Sequence, residues 1–198
     1  MTSNVPLVGL TGGMGAGKST ALAALERLGA AVLSTDVVVH ELYAGEPLRD
    51  AVVARWGGEV APGGVVDRSA VAARVFADAD DRAWLESVLW PMVGTRIAAW
   101  LTEVRARRPA PRAAVVEVPL LFEAGMEGAY DATIAVIAEE PVRRERAAGR
   151  GHALADARAA RQLPQDEKAR RATFAIRNDG SEAELAAQLS GVLDTLGE

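Results

Sequence analysis

Hydrophobic residues fall in this chain in two kinds of run. Short, continuous, β-branched runs occur at Val5–Leu10 (VPLVGL), Ala30–Ser34 (AAVLS), Ala113–Val118 (AAVVEV) and Ala132–Ala138 (ATIAVIA), with a less regular fifth at Thr173–Arg177 (TFAIR). Each is too short for a helix and lacks the polar alternation of a strand with one wet face. Each therefore predicts a strand of a parallel sheet covered on both sides. Ser19–Leu28 (STALAALERL) instead spaces its apolar residues at the helical period, and Gly29 after it predicts a C-cap. From about Val37 to Arg112 the pattern is helical, interrupted at Gly57-Gly58 and at Pro62-Gly63-Gly64, with no strand pattern. The expected architecture is α/β: a doubly wound, parallel, five-stranded sheet with a helical insertion after the second strand, at about residues 37–112, in a single domain of residues 1–198.

The first strand and first helix are joined by "GLTGGMGAGKST", Gly9 to Thr20. Gly12, Gly17, Lys18 and Ser19 fit G-x-x-x-x-G-K-[ST], in which inward-turned N–H groups cradle phosphates, the lysine reaches the β/γ-phosphates and the hydroxyl ligates Mg²⁺. The strand–loop–helix setting is what this chemistry needs, because the helix dipole adds to the anion site. A glycine-rich turn with a chance lysine is the plainer alternative. The expected ATP-binding set is Gly12, Gly13, Gly15, Ala16, Gly17, Lys18, Ser19 and Thr20, with Mg²⁺ on Ser19.

Composition narrows the classes. The chain has 198 residues, enough for a sizeable core, and a net charge of −5, so no overall basic field recruits nucleic acid or an anionic membrane. It has no cysteine, which excludes disulfides and thiolate metal sites. No apolar run approaches a spanning helix, and no targeting signal stands at residues 1–6, so a cytoplasmic location is expected. No Asn-Lys-x-Asp motif is present, and the one Asp-x-x-Gly, Asp194 to Gly197, lies in the C-terminal tail, which argues against a GTPase switch.

Basic residues cluster from Arg143 to Arg171. With acidic residues interleaved and no stacking aromatics before Phe174, the segment reads either as a solvated helix pair or as a lid at about residues 141–170. A lid's arginines would meet charge on the transferred phosphoryl. Arg146 and Arg150, at i and i+4, share one helix face and are the phosphate candidates. Asp36 falls at the carboxyl end of the second strand; it either caps the next helix or serves an accepting hydroxyl as a carboxylate. Glu117 in the third strand is either an acidic partner of magnesium or an edge residue. His40 and His152 are isolated, and the four tryptophans between Trp56 and Trp100 fit core packing of the insertion, with an acceptor pocket as the second reading.

Together these segments resemble the dephospho-CoA kinase family over about Leu7 to Leu189. The likeness is carried by "GLTGGMGAGKST", "LGAAVLSTD", "VVDRSAVAARVF", "PLLFEAGM", the lid arginines, "RQLPQDEK" and "IRNDGS". It implies transfer of the ATP γ-phosphate to the ribose 3′-hydroxyl of dephospho-CoA, the last step of coenzyme A synthesis. The insertion would bind the acceptor, Asp36, Lys18, Arg146 and Arg150 would be catalytic, and Asn178 would lie near the adenine. The acceptor would be met by Asp36, Arg68, Pro119, Leu120, Leu121 and Glu123. The partners implied are ATP and dephospho-CoA, on a monomer or weak homo-oligomer that binds neither nucleic acid nor membrane. The chain departs from the family pattern at Ser34, where Asp is usual, at Trp90, where His is common, and at Gly151, Thr173 and Arg177, where acidic residues are frequent. A small-metabolite or nucleoside monophosphate kinase and a weakly catalytic nucleotide-binding scaffold are the rival readings.

Overall fold

The computed structural model describes residues 5–147 and 161–197. The chain divides into two compact units, one running to Ser34 and resuming at Leu101, the other spanning Thr35–Trp100.

The first unit is built on five parallel strands: β1 Leu7–Gly12, β2 Ala31–Ser34, β3 Ala114–Glu117, β4 Ala132–Ile137 and β5 Phe174–Arg177. Their order across the sheet is β2-β3-β1-β4-β5. The runs read from the sequence are these strands, with one shift: β1 starts and ends two residues later than its apolar run. Pro6 has no N–H to give to a ladder, while Thr11 and Gly12 extend the pairing by lying in register with Ala135 and Val136. The shift carries β1 directly into the glycine loop. Because the chain leaves β1 toward β2 on one side and reaches β4 and β5 on the other, the carboxyl end of β1 is where the winding reverses. That is the position at which such sheets open a crevice.

Helix α1, Lys18–Arg27, turns Ala21, Ala24 and Leu25 inward onto the sheet. They meet Leu185, Leu189, Val192 and Leu193 of the C-terminal helix over Val8, Leu10, Val115, Ile134 and Val136. That last helix, Glu182–Leu196, starts with a capping box: the Ser181 side chain accepts from the Glu184 N–H, and the Glu184 carboxylate accepts from the Ser181 N–H.

The second unit is helical, as the pattern predicts. It holds α2 Thr35–Ala44, α3 Glu46–Trp56, single 3₁₀ turns at the two glycine breaks, α4 Arg68–Ala77, and α5 Ala79–Ala106, whose turns from Leu101 onward belong to the first unit. Its core of Leu48, Val52, Val60, Val66, Val71 and Leu85 is flanked by Trp56 and Trp84. The two indoles meet edge to face with centroids 4.9 Å apart. Core packing thus accounts for these two tryptophans, but Trp90 is 44% exposed and does not follow that expectation. It precedes Pro91, which sits within α5. Asp67 caps α4, its carboxylate accepting from the N–H groups of Ser69 and Ala70 at 2.8 and 3.2 Å.

Ser181→Ala removes the acceptor for the Glu184 N–H, and we expect it to lower stability by about 1 kcal/mol. Urea unfolding measures this, and turnover at 25 °C should not change, since Ser181 anchors only the last helix.

Candidate functional site

The loop between β1 and α1 turns on left-handed glycines. Gly15 and Gly17 hold positive φ of 74° and 92°, and Ala16 N–H closes a turn onto the Gly13 carbonyl at 3.2 Å. Gly17 is the N-cap of α1, and no side chain caps the helix. The Ala21 N–H donates to the Gly17 carbonyl at 2.9 Å, so the N–H groups ahead of it have no acceptor within the helix. With the positive end of the helix dipole at the same point, this geometry can receive an anion. Lys18 lies along it, Nζ donating to the carbonyls of Gly12 and Gly13 at 3.1 and 3.3 Å. Ser19, in the first helical turn, is exposed; Thr20 is half-buried, and Ala16 is buried.

Three side chains from distant segments brace this loop. Arg143, on α6 (Glu140–Ala147) after β4, donates from Nε to the Met14 carbonyl at 2.9 Å. Gln162 accepts from the Met14 N–H at 3.0 Å and donates to the Pro119 carbonyl at 3.4 Å. Asn178, just past β5 and 6% exposed, donates from Nδ2 to the Ala16 carbonyl at 2.8 Å. The approach is close enough to demand glycine. A Cβ on Gly15 would stand 2.3 Å from the Arg143 carbonyl oxygen, and one on Gly17 would stand 2.0 Å from Asn178 Nδ2.

Arg146, one turn beyond Arg143, donates from Nη1 to the Asn178 carbonyl at 2.9 Å. The same nitrogen is 3.7 Å from where a Gly17 Cβ would be, which sets the guanidinium beside the N-terminus of α1. Arg150 and His152 lie outside the described residues.

Behind the loop is a buried ion pair. Lys168, on α7 (Gln165–Arg171), is fully buried, and its Nζ donates to Glu123 Oε1 at 2.8 Å, the Pro119 carbonyl at 3.0 Å and Thr11 Oγ1 at 3.4 Å. Burial pushes its pKa below the ordinary lysine value, and the Glu123 carboxylate beside it pulls back toward the charged form. Glu123 Oε1 also accepts from the Leu163 N–H at 2.7 Å, while Oε2 is buried without a hydrogen-bond partner. Two turns of chain are held by this pair: the Pro119–Glu123 segment after β3, and the 161–168 segment that returns toward β5. Within the first, Pro119 and Leu120 are part-exposed and Leu121 is fully buried.

In the second unit, Asp36 is exposed in the first turn of α2, directly after β2 ends at Ser34. Arg68 begins α4 and is exposed; its Nη1 is 2.8 Å from His40 Nδ1, and its guanidinium carbon lies 5.3 Å from the centre of the Tyr43 ring. Glu117, 9% exposed, closes β3 in register with Leu10 and Ser34. It is not an edge residue, because β3 lies between β2 and β1.

The dephospho-CoA kinase (CoaE) family matches residues 6–184. The chain belongs to the dephospho-CoA kinase family. A dephospho-CoA kinase of Anaeromyxobacter dehalogenans is 40% identical over 195 residues, covering 96% of this chain and 92% of that protein. A solved protein of Thermus thermophilus is 34% identical with a TM-score of 0.81, over 96% of this chain and 97% of that one. The solved dephospho-CoA kinase of Campylobacter jejuni shares the fold, at 22% identity and a TM-score of 0.68, covering 96% of each chain.

The departures from the dephospho-CoA kinase pattern near β5 have local partners here. Thr173 and Thr133 exchange hydrogen bonds, each N–H donating to the other's Oγ1 at 3.0 Å, so a neutral pair ties the start of β5 to β4. Arg177 meets Asp179 at 3.0 Å and Glu139 at 3.4 Å. Sequence reading missed Arg143, Gln162 and Lys168. Arg143 and Lys168 stood in a run read for its arginines as a whole. Their distinguishing property is which backbone carbonyl or carboxylate they meet, and spacing does not encode that. For Arg143 there was one signal: it lies at i−3 from Arg146 and so shares its helix face.

Lys168→Met leaves Glu123 buried without its cation. We expect a stability loss of about 3–5 kcal/mol, read as a fall in the urea midpoint. The double variant Lys168→Met with Glu123→Leu should recover most of it, because the stranded carboxylate is gone.

Proposed function

We propose that this chain transfers the γ-phosphoryl group of ATP to the ribose 3′-hydroxyl of dephospho-CoA, in line and without a covalent enzyme intermediate. The observation that carries the reading is the glycine loop that ends in the left-handed Gly17 at the N-terminus of α1, which no side chain caps, with Lys18 and Arg146 beside it. A site made of main-chain donors and point charges suits phosphates, and it does little else. Membership of the dephospho-CoA kinase family across most of the chain supplies the acceptor.

Phosphoryl transfer passes through a loose transition state in which charge spreads over the three equatorial oxygens. The protein's task is therefore to position and to neutralise. In our reading the loop amides and Lys18 hold the β- and γ-phosphates, and Lys18 leaves its resting carbonyls when those oxygens arrive. Arg146 meets charge that grows in the transition state, and Arg150 is assigned the same task. Asn178 acts on ATP through the loop, by fixing the Ala16 peptide. Asp36 orients the acceptor hydroxyl and takes its proton late. Arg68, Pro119 and Leu120 contact the acceptor, while Leu121 and Glu123 hold the segment that presents Pro119.

Magnesium fits this donor set. An ion that arrives on phosphate oxygens needs few protein ligands, and a hydroxyl oxygen is a donor of the kind it takes. Ser19 would be that ligand, and the ion would supply positive charge against the charge that develops on the phosphates. We assign the reaction to the cytoplasm, where ATP is available, and to a monomer or weak homo-oligomer. Among the described residues no helix is long and apolar enough to cross a membrane.

Two variants test the division of labour. Lys18→Ala should abolish most ATP turnover with the fold intact by circular dichroism; unchanged turnover would overturn the phosphate-loop assignment. Asp36→Asn should lower kcat by about 100-fold or more while ATP affinity stays close to that of the parent. Near-full turnover in Asp36→Asn at neutral pH would remove Asp36 from the chemistry and make Glu117 the next carboxylate to examine.

A further inference from the structure

The second unit contains a contact that the assigned roles do not use. Asp36, His40 and Tyr43 stand at i, i+4 and i+7 of α2, one face of the helix. From α4, Arg68 reaches the latter two at once, with a nitrogen on His40 Nδ1 and the guanidinium over the Tyr43 ring. Its backbone is fixed as the first residue after the Asp67 cap. Arginine can only donate, so His40 Nδ1 must be the bare, accepting nitrogen. The pairing needs the tautomer with its proton on Nε2. An exposed guanidinium on a long stem samples many rotamers; here a ring nitrogen at one edge and an aromatic face beneath select one of them.

We propose that His40 is a positioning residue of the acceptor side. Its Nδ1, with the Tyr43 ring, holds the Arg68 guanidinium in the orientation that receives an anionic group of the acceptor, on the same helix face as Asp36. The inference rests on the reading of Arg68 as an acceptor contact.

The test is steady-state kinetics at neutral pH, varying dephospho-CoA and Mg-ATP in turn, for the parent, His40→Ala, His40→Asn and Arg68→Ala. His40→Ala should raise the acceptor KM roughly threefold to tenfold with kcat and the ATP KM unchanged. His40→Asn, whose side-chain oxygen can replace Nδ1 as the acceptor, should restore the parent KM. A raised acceptor KM in Arg68→Ala with none in His40→Ala would overturn the inference and leave the Arg68 assignment standing. An equal rise in His40→Ala and His40→Asn would also overturn it, since an acceptor at that position would then not restore the contact. No change in Arg68→Ala would overturn the reading on which the inference stands.

Discussion

A loop that binds phosphates through its own peptide groups has a difficulty built into it. The glycines that let the N–H groups turn inward also remove every side chain that could hold them there, and glycine loses more backbone freedom on folding than any other residue. The ordering must come from outside the loop. In this chain it comes from Arg143 on the Met14 carbonyl, Gln162 on the Met14 N–H and Asn178 on the Ala16 carbonyl. These side chains arrive from the end of β4, the segment before α7 and the end of β5. The parallel sheet explains how segments so far apart in sequence reach one place, since every one of its strands ends on the same side.

The Lys168–Glu123 pair extends the arrangement one layer down. A buried charge pair is weak support for stability in itself, because desolvation opposes the attraction. What it contributes is connection. One ammonium group ties together the end of β1 through Thr11, the segment after β3 through Pro119 and Glu123, and α7. An apolar residue of similar size could fill the space, but it could not hold the Pro119 carbonyl and Thr11 hydroxyl in fixed positions. The segment that braces the glycine loop is thereby also tied to the segment we assign to the acceptor.

In the helical unit polar side chains are likewise placed by their neighbours. Asp67 caps α4 and so fixes where Arg68 begins, while α2 presents His40 and Tyr43 to it. The apolar core beneath, with the Trp56–Trp84 contact, holds the helices that carry these residues.

The sequence by itself determined what depends on local spacing. Runs of five to seven residues marked the five strands, helical periodicity marked the insertion, and G-x-x-x-x-G-K-S located the glycine loop, because strand, helix and tight turn each impose a short-range rule on residue type. It also placed Asp36 at a strand end and singled out Arg146 by its helix face. The tertiary structure alone decided which polar groups meet. Glu123 and Lys168 are 45 positions apart and Asn178 is 162 from Ala16, and no local rule connects them. It decided that Glu117 sits on an interior strand, that Trp90 is exposed, and that the isolated His40 is the partner of Arg68. A hydrogen bond depends on distances of a few tenths of an ångström between chain segments, and only the packed sheet and helices set those distances.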